Sequence, residues 1–89
     1  MKAVVTVVGK DQVGIIAAVC VALASYRVNV LDISQTVMQG YFTMMMVVDV
    51  DGCNVPLAEL VEQMEQKGKE MNLSIRVQRE DIFEAMHRV

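Results

Sequence analysis

The amino-acid sequence predicts an α+β domain whose elements follow the order strand, helix, strand, strand, helix, strand. A β-branched apolar run at residues 3–8 is typical of a covered strand, two apolar stripes recur at helical spacing, and Gln39-Gly40 separates two alternating runs. This order predicts a four-stranded antiparallel sheet with two helices on one face. The 89 residues suit one small domain, so residues 1–89 are assigned to it.

The first helix is predicted at residues 13–26, after a turn that has a glycine at each end, Gly9 and Gly14. Its other faces carry mostly alanine and valine, so we expect a second surface of this helix to pack on a partner. The predicted buried stripe consists of Ile16, Val19, Cys20, Leu23 and Tyr26.

A hairpin follows, with strands predicted at residues 28–38 and 41–50. If Gln39 and Gly40 form a two-residue turn, Met38 lies opposite Tyr41 and this pair sets the register. One face of the hairpin is then predicted to join the core: Leu31, Ile33, Val37, Phe42, Met44, Met46 and Val48. The opposite face is predicted to stay mostly open: Asp32, Ser34, Thr36, Thr43, Met45 and Val47.

The last elements are a second helix, a fourth strand and a tail. The helix is predicted to begin at Asn54 or Val55, with Pro56 in its first turn, where a missing N–H costs little. Residues 73–78 alternate between apolar and polar and predict a half-exposed strand. Asp81 and the glutamate three positions later form a capping-box pattern. The whole pattern is ferredoxin-like βαββαβ with a short C-terminal helical tail. The predicted stripe of the second helix is Leu57, Leu60, Val61, Met64, Gly68 and Met71, and the tail carries Ile82, Phe83 and Met86.

Composition narrows the classes of partner. Hydrophobic residues make up 54% of the chain and charged residues 21%, which leaves more apolar surface than one small core hides. We therefore expect a homodimer or a higher homo-oligomer. The net charge is −3 and the chain has no Trp, so direct nucleic-acid binding is not expected. No apolar run is long enough to span a membrane and no leader pattern precedes the first strand, so the expected location is cytoplasmic.

Neither a metal site nor a catalytic site is predicted. Cys20 and Cys53 do not form a Cys-x-x-Cys pair, and His87 is the only histidine. No set of nucleophile, base and orienting carboxylate has plausible spacing, so no catalytic residue and no cofactor is assigned. A strand that passes directly into a helix exposes backbone N–H groups, which attract the negative end of a small molecule.

Residues 7–16, Val-Val-Gly-Lys-Asp-Gln-Val-Gly-Ile-Ile, and Asn29-Val30 at the start of the second strand resemble the ACT domain. The likeness covers nearly the whole chain. Ser34-Gln35-Thr36 and the ending at residues 82–86 are closer still to free-standing single-ACT proteins of bacteria and archaea. The sequence is also similar to the halves of the two-ACT transcriptional regulator of the glycine cleavage system.

The resemblance implies a non-enzymatic regulatory protein that binds an amino acid where two domains meet. Carried over by position, the implied ligand-binding residues are Asp11, Gln12, Gly14, Ile15 and Asn29. The N–H groups near Gly14 and Ile15 would receive the ligand carboxylate, Asp11 its ammonium, and Asn29 either group. Some serine-sensing members have a histidine two positions before Asp11; this chain does not, which argues against serine.

Other interpretations of the same residues stay open. Asp11 is also a good helix cap, Gly14 also permits close packing, and Asn29 also suits a turn after Arg27-Val28. At the level of function, the alternatives are a ligand-free subunit that binds another protein, and a small enzyme, since the fold alone excludes neither.

Overall fold

A computed structural model of the chain describes residues 1–82 and confirms the ferredoxin-like βαββαβ order. Residues 80–82 are helical and follow the last strand. The predictions for Phe83, Glu84, Met86 and His87 lie outside the described residues. The elements are β1 (Lys2–Lys10), α1 (Ile15–Ser25), β2 (Asn29–Met38), β3 (Tyr41–Asp49), α2 (Leu57–Glu70) and β4 (Leu73–Arg79).

The four strands form one antiparallel sheet in the order β2-β3-β1-β4. The β-branched run of β1 occupies a central position, where both faces of a strand are most protected. Met44 and Met46 are fully buried, whereas Met45 lies on the other face and is partly exposed, as the alternation of side chains along a strand requires. The core therefore lies between one face of the sheet and the two helices.

The β2–β3 turn has the predicted geometry. Gln39 and Gly40 both have positive φ angles, 51° and 81°, which is the signature of a type I′ hairpin turn. Met38 lies opposite Tyr41, and the predicted register is confirmed from this pair as far as Asp32 opposite Val47. Asparagine or glycine is usual where φ is positive; here glutamine occupies the first of the two positions.

The prediction that β2 contributes Leu31, Ile33 and Val37 to the core is wrong. All three are about half-exposed, because β2 is an edge strand and only its beginning, at Val30, packs against the core. A bulge at Leu31 also shifts the register, so that Val30 lies opposite Val48. Alternation shows which side a residue faces, but not whether anything covers that side.

The helices differ from the prediction at their N-termini. α1 begins two residues later than predicted. Its buried residues are Ile15, Val19 and Leu23, so the side that faces the core is centred on Ile15, and the prediction that Ile16 belongs to it is wrong. Similarly, α2 begins at Leu57, and Pro56 is the residue before it, with an extended ψ of 151°.

Gly68 holds α2 against β4. It lies on the buried side of α2, as predicted, and a Cβ there would lie 2.7 Å from the Leu73 carbonyl oxygen. Only glycine permits this close approach of helix to strand.

Candidate functional site

The candidate site is the turn between β1 and α1. Gly14 is the N-cap of α1, and its carbonyl accepts the Ala18 N–H at 2.9 Å. No side chain in residues 1–82 caps this helix, so the interpretation of Asp11 as the cap is wrong. The first N–H groups of α1 have no partner within the helix, and the helix dipole gives this end a partial positive charge.

Gly14 also leaves space beside the helix end. Its φ of 86° is the left-handed conformation that favours glycine, and no atom lies within 4 Å of where a Cβ would be. The alternative that Gly14 permits close packing of helix and strand within one chain is therefore wrong, whereas its contact with another subunit stays a prediction. An uncapped helix N-terminus next to open space can receive a carboxylate.

Two hydrogen bonds hold the turn in place. The Asp11 N–H donates to the Gly40 carbonyl at 2.8 Å, and the Gln12 Nε2 donates to the Met71 carbonyl at 3.0 Å. The turn is thus fixed to the β2–β3 hairpin on one side and to the C-terminal end of α2 on the other. The Gln12 amide donates within the chain, which makes Gln12 an anchor of the site.

Of the other predicted site residues, Asp11 offers a side-chain carboxylate and Ile15 a backbone N–H. The Asp11 side chain is exposed, and its carboxylate has no hydrogen bond or ion pair with another group in residues 1–82. The Ile15 side chain is 2% exposed and belongs to the core, so only its backbone N–H can serve a ligand. The turn therefore combines a negative group at Asp11 with main-chain donors at the helix start.

Asn29 does not join these residues within one chain. The register places Asn29 and Lys2 opposite Asp49, whereas Met38 and Lys10 lie opposite Tyr41. The β1–α1 turn and Asn29 are thus at opposite ends of the sheet, about 27 Å apart at roughly 3.4 Å per strand residue. The turn before β2 has its positive φ at Arg27 (61°), not at Asn29.

Sequence reasoning missed the carbonyl acceptors of Gly40 and Met71. They come from segments 29 and 59 residues away from the residues they bind. The glycine at position 40 signalled a turn, but no local pattern shows which part of the chain that turn contacts.

Chemistry elsewhere in the described part is limited. Every buried side chain of residues 1–82 is apolar, and no group of three or more His, Cys, Asp or Glu in this range could hold a metal ion. Cys20 and Cys53 are free and partly buried. None of the helices described is both long and apolar enough to cross a membrane. The cytoplasmic location stays a prediction.

Comparison with known proteins places the fold in a family. The family model described as the ACT domain matches residues 2–78. A UPF0237 protein of Bifidobacterium longum is 51% identical over 88 residues, which is 99% of this chain and 98% of the relative. The solved structure of an ACT domain protein from Streptococcus pneumoniae is 46% identical, with a TM-score of 0.83 and 98% of both chains covered.

Two structures of larger proteins contain the same fold. The regulatory subunit of aspartate kinase from Thermus thermophilus is 28% identical, with a TM-score of 0.67 over 86% of this chain and 50% of that one. A protein described as a glycine cleavage system transcriptional repressor has a TM-score of 0.73 over 86% of this chain and 44% of that one. At 20% identity, the second likeness shows the fold alone. By the match over residues 2–78 and the full-length relatives, this chain belongs to the ACT domain family.

Proposed function

We propose that the protein is a non-enzymatic regulatory subunit that binds a free amino acid between two copies of the chain. The observation that carries the proposal is the uncapped N-terminus of α1 beside the open space at Gly14. Membership of the ACT family supports a regulatory role, and one relative with this fold is the regulatory subunit of aspartate kinase.

The surface that joins the two copies is the free edge of β2. In a type I′ hairpin the residues next to the turn are hydrogen-bonded to each other, so the N–H groups of Val37, Gln35 and Ile33 point away from β3. Asp32 Oδ1 accepts the Ile33 N–H at 2.9 Å, so this backbone donor in the middle of the edge is already occupied and cannot pair with a second strand. Side-chain contacts must therefore contribute to the pairing. The exposed apolar residues of β2 are Leu31, Ile33, Val37 and Met38.

Two-fold symmetry explains the position of Asn29. When two identical edge strands lie side by side about an axis perpendicular to the sheet, they run antiparallel, so the start of one lies beside the end of the other. Asn29 of the second copy then approaches the Met38 end of the first. The β1–α1 turn lies at that end, since the Asp11 N–H bonds to Gly40. Asn29 and the β1–α1 turn, which are far apart within one chain, are therefore adjacent across the dimer interface.

Each end of a zwitterion has a partner in this arrangement. The carboxylate accepts from the N–H groups at the start of α1, the Asp11 carboxylate accepts from the ammonium, and the Asn29 amide serves either group. Each charge-assisted bond contributes about 1.5–3 kcal/mol. Removing one partner should therefore weaken binding by roughly 10- to 100-fold.

The test is isothermal titration of the full chain with each of the twenty free amino acids. We expect heat of binding for at least one of them, and a large loss of affinity in Asp11→Ala and in Asn29→Ala. The matched control is Glu62→Ala, an exposed carboxylate on α2 that belongs neither to the β1–α1 turn nor to the β2 edge, which should bind normally. Absence of heat with every amino acid at millimolar concentration would contradict the proposal.

Mixing the two variants tests whether the site is shared. After subunit exchange, a pair that contains one Asp11→Ala copy and one Asn29→Ala copy has one intact site. Random pairing should restore about a quarter of the wild-type sites, since half of the pairs are mixed and each has one site of two. A site that lies within one chain would recover nothing on mixing.

A ligand-free interaction subunit is the second candidate. Val13 is fully exposed and Val21 largely so, and both lie on or next to α1, where an apolar surface of this kind suits a protein partner. A stable complex with a partner protein, formed equally with and without amino acids, would favour this function.

A further inference from the structure

Val4 is a buried residue that does not belong to the core. It is 5% exposed, yet it is the one buried hydrophobic residue among residues 1–82 that lies outside the core cluster. Its side chain points to the opposite side of the sheet from those of its neighbours in β1, Ala3 and Val5, which are in that cluster. We call this side of the sheet the outer face. Because α1 and α2 pack on the other side, neither of them covers Val4.

Exposure on the outer face increases from one end of the sheet to the other. The row that holds Val4 also contains Val47 and Gln78, which are both half-buried. Four positions further along β1, Val8 is 42% exposed, and its neighbours on both adjacent strands are exposed too. The buried row is therefore the one nearest Arg79, where β4 ends.

The size of the neighbouring side chains does not explain the burial of Val4. Thr6 has nearly the shape of valine and lies on the same face between the longer side chains of Met45 and Arg76, yet it is only half-buried. Side chains on one face of a sheet stand roughly parallel, so neighbours shield the flanks of a residue but not its tip. A further segment must therefore lie over the row that holds Val4.

We propose that this segment is the C-terminal end of the same chain, residues 83–89, which packs across the outer face over Val4. Arg79, the last residue of β4, lies opposite Ala3, next to Val4, and residues 80–82 that follow it are helical. The segment thus starts beside the surface that it covers, and no second copy is needed to supply it. The outer face is then closed near Arg79 and stays open only at the end that holds Val8.

The length and the chemistry of the segment fit this row. As a helix, its seven residues would span about 10 Å at about 1.5 Å per residue, and the row from β4 over β1 to β3 covers two strand spacings of about 4.8 Å. The spacing of Ile82, Phe83 and Met86 would place them on one side of that helix, where they can meet the apolar side chains of Val4 and Val47. The polar residues of the segment fall on the opposite side: Glu84, His87 and Arg88.

The direct test is nuclear Overhauser spectroscopy of the full chain with labelled methyl groups. We expect contacts from the Phe83 ring to the methyl groups of Val4 and Val47, and none to those of Val8. A sample that mixes labelled and unlabelled chains shows whether these contacts arise within one chain, as proposed. Contacts found only between chains would overturn the assignment to the same chain, and the absence of any contact between residues 83–89 and Val4 would overturn the docking itself.

Double-substitution cycles on the full chain give a second readout. Val4→Ala and Phe83→Ala should be coupled, so that their combined effect on the unfolding equilibrium constant differs from the product of the single effects by more than about threefold. The matched control is the cycle of Val8→Ala with Phe83→Ala, because Val8 is the same residue type on the same strand and face; there the effects should multiply to within about twofold. Urea denaturation measures both cycles. No coupling in the Val4 cycle, or equal coupling in the two cycles, would overturn the proposal.

Discussion

At the scale of single residues, the β1–α1 turn shows how a backbone conformation becomes a binding site. Gly14 adopts a φ of 86° that a side chain would make costly, and as the N-cap of α1 it leaves open space beside the first N–H groups of the helix. Asp11 and Gln12 hold the turn through the Gly40 and Met71 carbonyls. The ligand is therefore expected to meet a turn that is already ordered, which reduces the entropy cost of binding.

The substitution Gly14→Ala tests whether the backbone conformation of Gly14 is needed for stability and for binding. We expect it to lower the free energy of unfolding by about 1 kcal/mol, because alanine is unfavourable at positive φ, and to weaken amino-acid binding. Gly52→Ala is the control: its φ lies outside that region and the nearest atom to the added Cβ is 3.6 Å away, so the change should stay within about 0.5 kcal/mol. Urea denaturation measures both. Equal effects of the two changes would contradict the role given to Gly14.

At the scale of elements, the contrast lies between β2 and β3. Their side chains alternate in the same way and pair in register, yet the core side of β3 is buried along its length, whereas β2 is largely exposed beyond Val30. Ile33 and Met46 are opposite each other on the same face, but Ile33 is 41% exposed and Met46 is 0% exposed. The free edge and the apolar residues of β2 are thus available for another chain.

Substitution of Ile33 and of Met46 by alanine should have different effects on stability. Met46→Ala leaves a cavity in the core and should lower the free energy of unfolding by about 2–5 kcal/mol. Ile33→Ala should cost roughly 1 kcal/mol or less when measured on dilute, dissociated protein, because much of its side chain is already in water. Denaturant titration at low protein concentration distinguishes them. Similar losses for both would mean that β2 is covered within a single chain.

At the scale of the whole molecule, the dominant feature is apolar surface that one chain does not bury. It occurs on α1, on the edge of β2 and at Val8 and Met45, on the side of the sheet opposite the core. A domain this small buries only about 60–65% of its unfolded surface, so association adds burial that the single chain lacks. Folding stability is then linked to assembly and to ligand.

Thermal unfolding reports that linkage. The Tm should rise with protein concentration, because only the folded state associates. Saturating amino acid should raise it further: at 100 times the Kd the ligand adds about 2.7 kcal/mol, and each kcal/mol shifts the Tm of a domain this size by roughly 4–8 °C. A Tm independent of protein concentration from micromolar to millimolar would contradict association, and D-amino acids serve as a control for nonspecific stabilisation.

The sequence by itself determined the element order, the hairpin register and the location of the β1–α1 turn, because these depend on local periodicity and on turn chemistry such as that of Gln39-Gly40. Tertiary structure decided which apolar residues are covered and which site residues meet. Alternation along β2 placed Ile33 on the core side, but only the sheet order shows that β2 lies at the edge. Likewise, Asp11 and Asn29 share a motif yet lie at opposite ends of the sheet. Burial and long-range proximity depend on how distant segments pack, and no local pattern encodes that packing.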